Sequence, residues 1–258
     1  MHPILCKNCE HTFEGKFCSN CGQKSNVGEL KMHDFLHELW HSVTHTDSGI
    51  LKLIKDLFTH PKRVYFGYFS GKRKTYFSPV TFFLITATIL LLIGNKIYDY
   101  EDYVRLADNP NGYNEMGRYV FDMTKFKTLI LLPFQVLLIW IFYHKRFNLA
   151  KIIVFFLYFH GLIFVIQIII SPIYFLFILH KELLDSIVAV ITFIILFCHL
   201  NLVFGMKNWK TYLLNFILLN VFHIINYLVI FYLLYGEALF EQTKTKNIFG
   251  FILELYKL

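Results

Sequence analysis

Four of the five cysteines fall within the first 21 residues and form two Cys-x-x-Cys pairs. Cys6 pairs with Cys9, and Cys18 pairs with Cys21. A two-residue spacing lets both thiolates of a pair bind one ion, and four thiolates complete a closed tetrahedral zinc site. The spacing therefore predicts a structural zinc ribbon over residues 1–28, with zinc as the cofactor that supplies its fold. The alternative is a reactive dithiol, which normally uses one such pair in a larger scaffold.

A closed set of four thiolates leaves no coordination position for a substrate, so we expect the ribbon to serve folding or recognition and the protein not to be an enzyme. Four cysteines grouped for a metal, with no cysteine pair available outside the membrane for a disulfide, indicate a reducing cytosol around the N-terminus. Cys198 lies apart in an apolar stretch, where we interpret it as a small buried hydrophobic residue.

The second group of chemically active side chains is a stripe of histidines in the predicted amphipathic helix of residues 30–45. The stripe repeats every four residues and consists of His33, His37, His41 and His45. His37 to His41 match H-E-x-x-H, in which Glu38 would be the general base of a zinc peptidase. No soluble domain is present to form its substrate cleft, so a solvated polar face or, in a symmetric oligomer, stacked histidine rings that constrict, bind metal or sense protons are the other interpretations.

A basic and aromatic segment follows, which we assign to residues 61–76 after a histidine-rich amphipathic region over 29–60. Ile50 to Phe58 predicts a helix that ends at Pro61 and lies in the inner membrane interface. The segment 61–76 is interpreted as a membrane-surface anchor. The alternative is a site for nucleic acid or a nucleotide, since basic grooves with stacking rings suit single strands. The candidate ligand-binding residues are Arg63, Lys72, Arg73 and Lys74.

The elements that must position these groups lie in a membrane. Of the 258 residues, 56% are hydrophobic and 17% charged, against roughly 45–50% and about 25% in soluble domains. This composition excludes disorder, a coiled coil and a disulfide-stapled secreted fold. Five stretches approach the length of about 20 apolar residues that a spanning helix needs. They are residues 77–94, 126–143, 152–179 (with Pro172 inside), 183–204 and 212–235.

Charge asymmetry orients these spans. Residues 48–76 hold seven basic residues against one acid, whereas the loop 96–125 is acidic on balance. Because Lys and Arg are retained on the cytoplasmic side, the N-terminus is predicted inside. The fold class is therefore an all-α membrane protein of about five transmembrane helices over residues 77–258.

The predicted spans carry amides and histidines but no central Asp, Glu, Lys or Arg, which argues against an ion-coupled transporter. Hydrogen bonds between helices are the commoner use of such groups. Alternatively they line a water-filled pore. The candidate pore-lining residues are His160, Gln167, Asn215, Asn220, His223 and Asn226.

Several of these motifs together resemble an uncharacterised bacterial family of zinc-ribbon, multi-pass membrane proteins. The resemblance is carried by the two cysteine pairs with Gly22-Gln23-Lys24, by His41 to Ile50, by His60-Pro61, and by Tyr68 to Pro79 with its Gly71-Lys72-Arg73-Lys74 core. It covers residues 6–79 specifically and the remainder only in composition. It implies the zinc site and the topology, and it transfers no activity.

These features lead to one main functional hypothesis. We expect a homo-oligomeric inner-membrane effector or channel, of the kind used in bacterial defence, whose cytosolic region senses a ligand and gates ion conduction or membrane perturbation. Its expected partners are the lipid bilayer, further copies of the chain, a nucleic acid or nucleotide regulator, and a cytosolic protein. A non-conducting membrane scaffold is the alternative, and an H-E-x-x-H metallopeptidase is a third.

Overall fold

The computed structural model describes residues 3–32, 49–108, 127–205 and 208–225. The predicted histidine stripe of residues 33–45, Asn226 and the C-terminal end of the fifth predicted span lie outside the described residues. The strands are β1 (Ile4–Leu5) and β2 (Thr12–Phe13). The helices are α1 (Ile50–Thr59), α2 (Pro61–Phe69), α3 (Pro79–Asp108), α4 (Lys127–Tyr143), α5 (Leu149–Leu176), a 3-10 turn (Ile178–His180), α6 (Lys181–Phe204) and α7 (Trp209–Ile225).

Three helices in the described part of the chain are long and apolar enough to cross a membrane. They are Pro79–Ile97 within α3, the whole of α5, and Leu183–Phe204 within α6. These three coincide with the first, third and fourth predicted spans. The second and fifth predicted spans overlap shorter apolar helices, Leu131–Tyr143 and Trp209–Ile225. The membrane character of the chain is thus supported, while the count of five spans stays a prediction.

Helix α5 is the centre of the bundle because it is apolar on all sides, a pattern that suits complete burial. Its residues from Ala150 to Val165 are almost all buried, and α3 packs along it more extensively than any other described helix does. Gly161 of α5 allows α3 to pack this closely, since a Cβ there would lie only 2.5 Å from the Phe82 ring of α3. Helix α5 continues past Pro172 to Leu176.

Helices α1 and α2 form a tight pair that packs into the same core. Only His60 separates them, and Pro61 begins α2, where its missing N–H is of no consequence. Leu53 and Leu57 of α1 are fully buried. The apolar side of α1, which the sequence assigned to the membrane interface, therefore faces mainly the protein.

The same difference applies to the aromatic residues of the segment 61–76. Helix α2 packs against α5 and α6, so most of its rings are core residues and not a surface anchor. The buried rings of this region are Tyr65, Tyr68, Phe69, Tyr76 and Phe77. A nucleic-acid strand would need such rings exposed for stacking, whereas of the aromatic residues in α2 only Phe66 is exposed.

Candidate metal centre and its contact with the membrane helices

The two cysteine pairs fold into matching backbone turns. In the first turn, the N–H of Glu10 donates to the carbonyl of Cys6 at 2.9 Å, and the N–H of Cys6 donates to the carbonyl of His11 at 2.9 Å. The second turn repeats both bonds, from Gly22 to Cys18 at 2.9 Å and from Cys18 to Gln23 at 2.8 Å. The chain thus presents each pair of sulfur atoms from the same local geometry.

A short hairpin encloses the first turn. Strands β1 and β2 are antiparallel, with Ile4 opposite Phe13 and Leu5 opposite Thr12. Phe13 is buried against Cys6 and Cys18 and forms with them a small cluster separate from the main core. Because so few apolar residues contribute, this cluster cannot stabilise the ribbon alone, and a bound metal would supply the missing free energy.

The four sulfur atoms converge on one point. All four sulfur atoms lie within 4.8 Å of one another. The Cys6 and Cys21 sulfurs are 3.5 Å apart, and those of Cys9 and Cys18 are 3.6 Å apart. Zinc–sulfur bonds of about 2.3 Å in a tetrahedron place the sulfurs about 3.8 Å apart, so the spacing fits a metal ion. All four cysteines belong to this one group, as the sequence predicts, and the group could hold a metal ion.

The local environment divides the thiols. A backbone hydrogen bond at His11 lowers the pKa of Cys9 to about 6, whereas burial raises the pKa of Cys21 to about 12. Four thiolates at this spacing repel one another, and a divalent cation that replaces their protons removes that repulsion. The closed cluster therefore suits metal binding better than it suits a reactive pair.

The ribbon contacts the loop that connects α2 to α3. Asn8, between Cys6 and Cys9, accepts hydrogen bonds through Oδ1 from the backbone N–H of Thr75 at 2.9 Å and from Thr75 Oγ1 at 2.8 Å. Gln23 Oε1, just after the second cysteine pair, accepts from the backbone N–H of Arg73 at 3.2 Å. Each cysteine turn thus contributes one amide side chain to the backbone of the same loop.

Gly71 allows the loop and the segment after the second cysteine turn to approach closely at this contact. Its φ of +107° is in the region that glycine favours, and a Cβ there would lie 3.3 Å from both the Gly28 carbonyl oxygen and Val27 Cγ1. A side chain at this position would be strained and crowded. The close approach of the ribbon to the loop therefore depends on Gly71.

The segment after the ribbon reaches a second membrane helix. Leu30 is fully buried, and its N–H donates to the Phe69 carbonyl at 3.2 Å at the end of α2. Asn148 Nδ2, at the start of α5, donates to the Leu30 carbonyl at 2.7 Å. Lys151 and Glu29 form an ion pair of 3.4 Å beside it. The ribbon is consequently connected to α2, to the α2–α3 loop and to α5.

Three of the four predicted ligand-binding residues lie in the loop that makes this contact. Lys72 makes a 3.6 Å ion pair with Glu10 of the ribbon, and the Arg73 backbone bonds to Gln23 as described above. Arg63 on α2 and Lys74 in the loop are exposed. The structure therefore places Lys72, Arg73 and Lys74 together in the loop beside the ribbon, and Lys72 pairs with a carboxylate of the ribbon itself.

The predicted polar residues of the spans separate into two groups. His160 and Asn215 are buried in contacts between helices: His160 Nε2 lies 2.6 Å from Gln135 Oε1 of α4, and Asn215 Oδ1 accepts from Tyr143 at 2.6 Å. Asn215 Nδ2 also donates to Asn201 Oδ1 at 2.9 Å. Asn220 donates to the Phe216 carbonyl of its own helix at 2.7 Å.

Gln167 and His223 are the other predicted pore-lining residues that the structure describes. Gln167 is half-buried, and the His223 ring centroid lies 5.3 Å from that of Phe193 on α6. Three partners of the buried polar groups were not predicted from the sequence: Gln135, Tyr65 and Tyr143. Tyr65 Oη lies 3.0 Å from Nδ1 of His199 on α6. For Gln135 and Tyr143 the signal in the sequence was a polar atom in an apolar helix, which requires a partner when it is buried.

The sequence of the α1–α3 region has been compared with known protein families. Residues 47–91 match a family model. The family is described as "Protein of unknown function (DUF3667)". The match spans α1, α2, the loop that contacts the ribbon and the first part of α3. It supports the resemblance predicted from the sequence at the coarser level of a family of unknown function. No curated protein and no solved structure matches the chain.

Proposed function

We propose that the chain is a multi-pass protein of the bacterial inner membrane, with about five spans and a cytosolic N-terminus, in which a cytosolic zinc ribbon senses a ligand and controls the membrane helices. Zinc is the proposed ion because four thiolates in tetrahedral arrangement suit it. The ion has a structural role in this proposal, and the protein has no catalytic one. The proposed function does not depend on the histidine stripe or on the H-E-x-x-H motif.

The observation that carries this proposal is the contact of both cysteine turns with the loop before α3. Asn8 bonds to Thr75 and Gln23 bonds to Arg73, and α3 begins four residues after Thr75. A change in the ribbon, whether loss of the metal or binding of a ligand, therefore alters the restraint on the first membrane helix. A ribbon attached by a free linker would have no such effect.

The ligand that the surface favours is anionic. Lys74 is exposed in the loop that contacts the ribbon, Arg63 is exposed on the preceding helix α2, and Lys72 makes an ion pair with Glu10. A short oligonucleotide or a nucleotide supplies phosphates for such groups. Because the rings of this segment are buried, the recognition that we propose rests on phosphate contacts and not on base stacking.

For the membrane response, the proposal is that a homo-oligomer conducts ions or perturbs the bilayer. A non-conducting scaffold is the second candidate, and one observation favours it. His160 and Asn215, which the pore interpretation needs beside water, form hydrogen bonds between helices of the same chain. In a pore of several copies, the half-exposed Asn220 and His223 of α7 would then have to line the path.

Reconstituted vesicles separate the two responses. The purified full-length chain is placed in vesicles that contain a potassium-sensitive dye, and a set of short single-stranded oligonucleotides is added. A sensor that conducts gives potassium flux that depends on the oligonucleotide and falls several-fold in an Arg63→Gln, Lys74→Gln double variant. Native mass spectrometry of the same sample gives the oligomeric state. A monomer without flux would favour the scaffold.

A further inference from the structure

The outward sides of α1 and α2 combine exposed apolar residues with basic ones. In α1, Leu51 is 80% exposed and Phe58 is 50% exposed. Lys55 lies between them, and a spacing of four and then three residues places all three on one side of a helix. In α2, the Lys62 Nζ lies 5.8 Å from the centroid of the exposed Phe66 ring. We call these five residues the outward surface.

The depth of this helix pair relative to the membrane helices follows from two contacts of Tyr65. Its hydroxyl bonds to His199, which precedes the end of α6 by five residues. Its ring centroid lies 4.9 Å from that of Phe155, which follows the start of α5 by six residues. At 1.5 Å per residue, both contacts lie about 8 Å inside the ends of those helices. Interfacial helices insert to about 5–10 Å.

The charge of the segment matches one kind of surface. Residues 49–78 contain one acid, Asp56, and Asp56 accepts a hydrogen bond from the Tyr76 hydroxyl at 3.2 Å. Lys52, Lys55 and Lys62 are all exposed. Anionic lipid headgroups on the cytoplasmic side attract lysines placed beside inserted apolar side chains.

From this combination we propose that the outward surface of α1 and α2 inserts into the inner leaflet and binds anionic lipid headgroups. The occupant is the bilayer in which the protein itself resides. The sequence assigned Leu53, Leu57 and Phe58 to one lipid-facing side of α1, but Leu53 and Leu57 occupy the protein core. The proposal uses the cytosolic side assigned to the N-terminus and is independent of the ribbon's sensory role and of any conduction.

Lipids that carry bromine on their acyl chains test the insertion, because bromine quenches tryptophan fluorescence on contact. The variant Phe58→Trp is reconstituted as the full chain, and the signal of the wild-type protein is subtracted. Phe17→Trp is the matched control, since Phe17 is 56% exposed on the ribbon. We expect strong quenching at position 58 and none at position 17. An unquenched Phe58→Trp would overturn the proposal, whether this surface is covered by water or by a second copy.

The second arm of the test identifies the headgroup. Bromine is carried either by phosphatidylglycerol or by phosphatidylcholine in otherwise identical mixtures. We expect phosphatidylglycerol to quench Phe58→Trp at least twofold more strongly, and this excess to vanish when Lys52, Lys55 and Lys62 are replaced by Gln. Equal quenching by the two lipids in the unmodified background would reject anionic recognition. The metal content of every variant is measured as a check that the ribbon stays folded.

Discussion

Glu10 and Gly22 occupy equivalent positions, each directly after the second cysteine of a turn, and both adopt the left-handed backbone conformation. Their φ angles are 60° and 70°. Glycine adopts this conformation without cost, whereas a residue with a Cβ is strained there by roughly 1–2 kcal/mol. The first turn therefore contains a strain that the second avoids.

Replacing Glu10 by Gly is expected to stabilise the ribbon. The change relieves the strain and loses roughly 0.5–1 kcal/mol to the greater freedom of the unfolded chain, so the net gain is up to about 1 kcal/mol. Gly22→Ala is expected to act in the opposite direction by a similar amount, since no atom lies within 4 Å of its Cβ position. The rate of metal loss to a chelator measures both. Glu10→Gln isolates the exposed ion pair with Lys72, which contributes little.

Loss of one cysteine ligand is expected to abolish stoichiometric metal binding. Cys18 is almost completely buried in the cluster, and a Ser in its place leaves three thiolates and an open position. Metal content, measured by mass spectrometry of the purified chain, should fall from one ion to none or to a weakly held fraction. Cys198→Ser is the control, because Cys198 lies exposed on α6 and is not buried as the sequence predicted. Full metal content in Cys18→Ser would contradict the assigned ligand set.

The hydrogen bonds of Asn8 are expected to connect the ribbon to the loop without affecting the metal. Asn8→Ala removes both bonds to Thr75, so hydrogen exchange at residues 71–79 should become faster while the metal stays bound. Asn20→Ala is the matched control: Asn20 holds the same position in the second turn, but its side chain bonds to the Cys9 thiol. Similar exchange rates at residues 71–79 in the two variants would argue against the proposed coupling.

Gly161 is expected to control how closely α3 packs on α5. In Gly161→Ala the new methyl group would meet the buried Phe82 ring at 2.5 Å, and overpacking of this kind costs about 1–3 kcal/mol. The midpoint of thermal unfolding in detergent should fall. Gly94→Ala in α3 provides the control, since its Cβ position is open and alanine favours a helix. Adding Phe82→Leu to Gly161→Ala should restore part of the loss.

Tyr76 is expected to make stability fall at alkaline pH. Burial, followed by the charge of Asp56, raises the pKa of Tyr76 from 10.0 to about 12. A raised pKa means that the folded state favours the protonated form, so this stabilisation is complete below pH 10 and is lost as the pH rises towards 12. The stability advantage of the wild type over Tyr76→Phe should therefore shrink across this window. Tyr103→Phe, at an exposed position, is the control for the loss of a tyrosine hydroxyl.

The cysteine cluster shows how local spacing can predict a site. Two turns with a two-residue spacing bring their sulfurs together through backbone geometry that each turn contains within itself, so the sequence was sufficient. The apolar length of α3, α5 and α6 was equally readable, because about 20 apolar residues in a row have few stable environments other than a membrane. Both predictions depend on residues that are close together in the chain.

The position of α2 could not be predicted in this way. A segment with alternating basic and aromatic residues has the composition of a surface anchor, but Tyr65 and Tyr68 are buried against α5 and α6. Burial of a ring depends on which helices pack around it, and those helices lie about 90 or more residues further along the chain. The hydrogen bond of Tyr65 to His199, separated by 134 residues, is of the same kind.

The sequence by itself determined the cysteine ligand set, the apolar helices and the basic character of the segment before α3. Each of these follows from the type and spacing of neighbouring residues. Only the tertiary structure decided which groups meet: Asn8 with Thr75, His160 with Gln135, and Leu53 with the core in place of lipid. An amide or an apolar side chain accepts many partners with similar energy, so the packing of distant segments selects among them.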